Sequence, residues 1–177
     1  MSETAKRRIF SMLDTDGDGV VSRAEYLARV DRAAAALGRG ARDPLVLVAR
    51  AAHEEVWRHM DADQDHRVTF EEYSSWAGHE AFEKVCRPAL GSLFDLADAD
   101  ADGRLDREEF TRLRRASGNA APDADAAFDA LDGDHDGAVD RDTYLLGIRE
   151  FLTTGTSAMA GAYGSGRPVS GGGVDLA

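Results

Sequence analysis

Four twelve-residue stretches share one design, and nothing else in the chain constrains its fold as tightly. They read DTDGDGVVSRAE (14–25), DADQDHRVTFEE (61–72), DADADGRLDREE (98–109) and DGDHDGAVDRDT (132–143). Each carries Asp at positions 1, 3 and 5 and an aliphatic residue at position 8: Val21, Val68, Leu105 and Val139. An aromatic follows each stretch directly (Tyr26, Tyr73, Phe110, Tyr144), and another precedes it by four residues (Phe10, Trp57, Phe94, Phe128). Eight of the 13 aromatics thus sit at two fixed offsets from four acidic loops, which acidic composition alone does not arrange. The chain repeats one helix–loop–helix unit.

The spacing suits a hard divalent cation, which takes about six to eight oxygens on a small sphere. Alternate residues of a tightly curled loop point inward, so positions 1, 3 and 5 offer carboxylates and position 7 a backbone carbonyl. Position 9 reaches the ion directly or through water. Position 12, already in the next helix, closes the shell with both oxygens of a Glu. Position 6 must turn with positive φ, which favours Gly. The position-8 aliphatics set up a short antiparallel pairing between neighbouring loops, Val21 with Val68 and Leu105 with Val139.

The flanks read as helices. AKRRIFSML places Ile9, Phe10 and Leu13 on one face. Ser22 and Glu25 have capping-box spacing at the start of SRAEYLARVDRAAAAL. Asp43 and Pro44 open DPLVLVARAAHEEVWRHM as N-cap and first helical residue, and Pro122 lies near the start of APDADAAFDAL. The expected fold is all-α: eight helices in four units, grouped in two pairs, each pair closed by a two-stranded clip.

These loops resemble EF-hands, over residues 3–152, and loops one and three meet the full D-x-[DN]-x-[DN]-G-x5-E signature. Glu109 to Asp132 spans 23 residues and Glu72 to Asp98 spans 26, but Glu25 to Asp61 spans 36, because RAAAALGRGARDPLVLVA is inserted. A long first connection with a degenerate hand elsewhere resembles the sarcoplasmic-type, calerythrin-like calcium-binding proteins. That resemblance implies a compact four-hand arrangement, with a calmodulin-like pair of lobes as the alternative. Of the four methionines, only Met12 and Met60 fall on hand helices, which argues against a Met-rich target groove.

Loop one offers Asp14, Asp16, Asp18, the Val20 carbonyl, Ser22 and Glu25; loop three offers Asp98, Asp100, Asp102, the Arg104 carbonyl, Asp106 and Glu109. Both are expected to bind Ca²⁺. Loop two keeps Asp61, Asp63, Asp65, the Arg67 carbonyl, Thr69 and Glu72, but has His66 where Gly belongs. Holding His at positive φ costs about 1 kcal/mol, so the expectation is weakened binding. Loop four keeps Asp132, Asp134, Asp136, the Ala138 carbonyl and Asp140, but Thr143 replaces the bidentate glutamate. That removes two of about seven oxygens, and the expectation is a structural hand with its site weak or lost. Asp142 is one residue early and points about 100° away on the helix. Mg²⁺ is the alternative occupant, both there and in the resting state.

With 33 acidic and 21 basic residues the formal charge is −12, which opposes binding to nucleic-acid phosphates and suits cationic partners. Cys86 is the only cysteine, so an internal disulfide is impossible, and it reads as core packing. The histidines of HEEVWRH are six apart and cannot share a helix face as zinc ligands do. No nucleophile–base grouping appears, so no catalytic site is expected. No signal peptide or membrane span is legible either, and the expectation is a cytoplasmic monomer. The domains divide as 1–79 (hands one and two), 80–152 (hands three and four) and 153–177, a Gly/Ser-rich tail read as flexible. Docking of Tyr163, Val174 or Leu176 on an apolar groove is that tail's alternative role. The expected function is buffering and transport of intracellular calcium with two or three bound ions. The alternative is a sensor that opens on calcium and grips a partner helix.

Overall fold

Between the acidic loops the backbone is helical, as the flanking periodicity requires. The computed structural model describes residues 3–117 and 121–154. The first pair of hands comprises α1 (Glu3–Leu13), β1 (Val20–Ser22), α2 (Arg23–Ala36), α3 (Pro44–Met60), β2 (Arg67–Thr69) and α4 (Phe70–Trp76). A short α5 (His79–Ala81), a π-helical turn (Phe82–Cys86) and α6 (Arg87–Ala97) follow. The second pair continues with β3 (Arg104–Asp106), α7 (Arg107–Ala116), α8 (Ala121–Leu131), β4 (Ala138–Asp140) and α9 (Arg141–Thr154). Segment 155–177, which holds nearly all of the expected tail with Tyr163, Val174 and Leu176, lies outside the described residues. No helix among those described is long and apolar enough to cross a membrane.

The segments α5, π turn and α6 run on without leaving helical dihedrals: Ala81 and Arg87 both hold right-handed values. Among the described residues, eight helical rods therefore flank four loops. The π turn has a local cause in Pro88, which has no N–H to give the carbonyl four residues back. The backbone widens ahead of it, and the Arg87 amide bonds the Phe82 carbonyl, five residues back.

The inserted first connection lengthens both neighbouring helices, to 14 residues in α2 and 17 in α3. Gly38, at φ +72°, turns the chain out of α2, and the Arg39 amide closes on the Ala34 carbonyl at 2.8 Å. The Arg39 side chain then donates to the Leu96 carbonyl at 2.7 Å, tethering this connection to the end of α6. Asp43 caps α3 through the Leu45 amide at 2.9 Å, with Pro44 in the first turn.

The clips pair in the register the position-8 residues require: Val21 opposite Val68 and Leu105 opposite Val139. All four are at most 1% exposed. Two apolar clusters form the core. One gathers Phe10, Val21, Tyr26, Trp57, Val68 and Tyr73 under the first clip. The other joins Val30, Ala33, Val46 and Ala49 of α2 and α3 to Phe94, Phe110, Phe128 and Phe151 of the second pair. The second cluster spans both pairs of hands, so they pack face to face without a stalk between them.

Candidate metal centres

Each loop is shaped by its own aspartates before any ion is considered. In loop one Asp14 accepts the Gly17 amide (2.8 Å) and the Gly19 amide (3.0 Å), while Asp18 accepts the Val20 amide (3.0 Å). Loop three repeats this with Asp98 and the Gly103 amide (2.9 Å), and Asp102 and the Arg104 amide (2.8 Å). These short side-chain-to-backbone bonds curl the chain so that the acidic groups face one point. Carboxylate oxygens of Asp14, Asp16 and Glu25 all lie within 4.8 Å of one another, as do those of Asp61, Asp63 and Glu72, and of Asp98, Asp100 and Glu109.

The position-12 glutamates arrive there because they belong to helix caps. Ser22, Thr69 and Asp106 accept the amides of Glu25 (3.2 Å), Glu72 (3.3 Å) and Glu109 (2.8 Å). In return each glutamate accepts its cap residue's amide, at 2.9, 2.8 and 3.0 Å. Glu25 also accepts the Thr15 amide at 3.1 Å, and Glu109 that of Ala99 at 2.8 Å, so each straddles both ends of its loop. Hydrogen bonds from the Ser22 hydroxyl and amide hold the Glu25 carboxyl down at about 2, so it is charged at any physiological pH.

Loop two differs in the way its sequence announced. His66 sits at φ +67°, in the left-handed region where Gly19, Gly103 and Gly137 sit in the other loops. The loop still closes, with the His66 amide 3.3 Å from Asp61 Oδ2. Asp61 is 4% exposed, and its other oxygen, Oδ1, is buried with no hydrogen-bond partner among the described residues. A buried, unpartnered carboxylate oxygen is costly unless a cation satisfies it, so the donor set fits a divalent ion there.

Loop four gathers Asp132, Asp134 and Asp136 within 4.8 Å, but no glutamate reaches them. Thr143 instead donates its amide (2.9 Å) and hydroxyl (2.8 Å) to Asp140, the position-9 residue. Asp136 accepts the Arg104 guanidinium, which holds its carboxyl below the usual range.

Two features escaped the sequence reading. Position 4 is also left-handed in every loop, at Gly17, Gln64, Ala101 and His135, three of them without the freedom of glycine. And Arg67 and Arg104, expected to serve through their carbonyls, also send guanidinium groups toward neighbouring loops, Arg67 standing 3.7 Å from Asp18. The repeat of Arg at position 7 in adjacent hands is the only signal for this in the sequence.

Away from the loops, an apolar cavity of about 90 Å³ lies between the pairs, lined by Tyr26, His53, Tyr73, Trp76, Cys86 and Ile148 among others. His53 is 1% exposed, and its Nδ1 donates to the Ala49 carbonyl at 2.8 Å. Burial first, then the charge of Arg29, pushes its pKa down to about 3. Cys86 is pushed up to about 12 by burial, consistent with a packing thiol.

Comparison with known proteins agrees with this geometry. The EF-hand domain pair model matches residues 2–78, and the EF hand model matches 90–113 and 124–142. The chain is 25% identical to calerythrin of Saccharopolyspora erythraea over 161 residues, covering 85% of this chain and 90% of that protein. It is 32% identical over 109 residues to the rice (Oryza sativa subsp. japonica) "Probable calcium-binding protein CML16", covering 60% of this chain but only 55% of the rice protein. Among solved structures, a calcium-binding protein of Streptomyces coelicolor superposes with a TM-score of 0.72 at 26% identity, covering 85% of this chain and 97% of that one. Four paired loops, their caps and these matches lead to one conclusion: the chain belongs to the EF-hand family of calcium-binding proteins and resembles calerythrin.

Proposed function

We propose that this protein is a cytoplasmic, monomeric calcium buffer and carrier that holds two or three ions and catalyses no reaction. The observation that carries this reading is where the apolar faces of the hands go. Val30, Val46 and Ala49 of the first pair pack against Phe94, Phe110 and Phe151 of the second. A sensor that grips a target helix needs such a face free, and here each pair covers the other's.

Loops one and three are the primary sites in this reading, each with a full carboxylate set and a straddling glutamate. Loop two binds more weakly because of His66, and loop four is structural. Three divalent ions would offset half of the −12 charge. The ion-free protein is therefore the looser, self-repelling state. Mg²⁺ accepts about six ligands, several of them waters, and is the resting competitor.

A second reading is a calcium sensor. It draws on the Streptomyces coelicolor protein of similar fold, which is described as acting in prokaryotic calcium-mediated regulation. A hydrophobic-surface dye separates the two during calcium titration in millimolar Mg²⁺. A buffer closes around its ions and dye fluorescence falls. A rise would mean that apolar surface opens on binding, and the sensor reading would replace it.

A further inference from the structure

Each clip carries one arginine at loop position 7, and the facing loop has a small or aliphatic residue at its own position 7. In the first clip these are Arg67 and Val20, in the second Arg104 and Ala138. The antiparallel register sets Arg67 opposite Ser22 and Arg104 opposite Asp140. With position 8 buried, strand alternation turns positions 7 and 9 to the opposite face, toward the partner loop's acids.

Both guanidinium groups meet the same target. Arg67 stands 3.7 Å from Asp18 Oδ2, and Arg104 donates to Asp136 Oδ2. Asp18 and Asp136 are the position-5 residues of the facing loops. Their other oxygens are taken by backbone amides, of Val20 at 3.0 Å and Ala138 at 3.1 Å. Meanwhile the amides of the arginines bond position 5 of their own loops, Asp65 and Asp102, both at 2.8 Å. One residue thus ties the position-5 carboxylates of two loops together.

We infer that Arg67 and Arg104 are built-in counter-cations for loops one and four: each lowers the calcium affinity of the loop it reaches. The inference rests on the calcium-binding reading above. A fixed positive charge beside a ligand carboxylate repels an arriving divalent ion, and it relieves repulsion among the carboxylates of the ion-free loop. Both effects act in the same direction. In loop four, where Thr143 supplies no carboxylate, Arg104 takes over part of the charge compensation an ion would give.

The test is a calcium titration followed by NMR at the position-6 glycines. Their amides bond the position-1 aspartates, Gly19 to Asp14 at 3.0 Å and Gly137 to Asp132 at 3.2 Å, so they report their own loops. Arg67→Gln should tighten binding at loop one about fivefold to tenfold, while Arg67→Lys stays within about twofold of the wild type. In a Thr143→Glu background, Arg104→Gln should tighten loop four by about tenfold. Unchanged or weaker binding at Gly19 in Arg67→Gln, with Gly103 titrating normally, would overturn the inference. A wild type in which neither Gly19 nor Gly103 responds to calcium would overturn the calcium reading itself, and the counter-cations with it.

Discussion

Thr143 gives both of its hydrogen-bond donors to a single carboxylate, its amide lying 2.9 Å from Asp140 Oδ1 and its hydroxyl 2.8 Å from Oδ2. In the other three loops the residue at position 12 accepts from position 9 through a carboxylate. The position-12 amide donates to position 9 in all four loops, but in loop four the side-chain polarity is reversed, and both oxygens of Asp140 are occupied within the helix cap. The backbone bond from Thr143 keeps the Asp140 carboxyl below its usual range.

Restoring the glutamate should therefore restore the site. Thr143→Glu is expected to add one calcium ion to the saturated protein. Thr143→Ala removes the hydroxyl bond but leaves the Asp140 cap, and should lower stability by only about 0.5–1 kcal/mol. Native mass spectrometry and thermal unfolding check the two outcomes.

The straddling glutamates should matter most where the loops are complete. Glu25→Gln and Glu109→Gln each remove a charge and a bidentate ligand, and should weaken their own site by about a hundredfold. Isothermal titration should show one step weakened in each variant, the other site being affected far less.

Loop two offers a gain. His66 is held at φ +67°, and His66→Gly removes the conformational penalty of about 1 kcal/mol. Calcium affinity at loop two should rise about fivefold. A competitive chelator titration measures it, and an unchanged affinity would show that His66 is not what weakens the loop.

Acid stability should report His53. It stays neutral in the folded protein down to about pH 3. The unfolded chain takes up that proton near the ordinary value of about 6.5. Between these values the unfolded state binds more protons, so stability falls as pH drops from about 6.5. At about pH 5 the loss is about 2 kcal/mol. His53→Gln should lack it, which urea unfolding at about pH 7.5 and pH 5 in excess calcium would detect.

The sequence held the repeat, the loop ligands and the strand register because each depends on short-range spacing. Val21 meets Val68, and Ser22 with Glu25 forms the expected capping box. What stayed hidden depends on partners far along the chain or on backbone strain. The left-handed turns at Gln64, Ala101 and His135 have no residue signature. The reach of Arg104 to Asp136 needs the clip's register before it can be seen. The π turn had a local trace in Pro88, but its place in one unbroken rod from His79 to Ala97 did not follow from it. The long first connection was legible as an insertion; that it became longer helices and an Arg39 tether to Leu96 was not.

The complete loops should bind calcium, and loop four should not. Native mass spectrometry of the full chain under saturating calcium counts the ions directly. Two or three bound ions, rising by one in Thr143→Glu, is the expected result. Four ions in the wild type, or fewer than two, would contradict it.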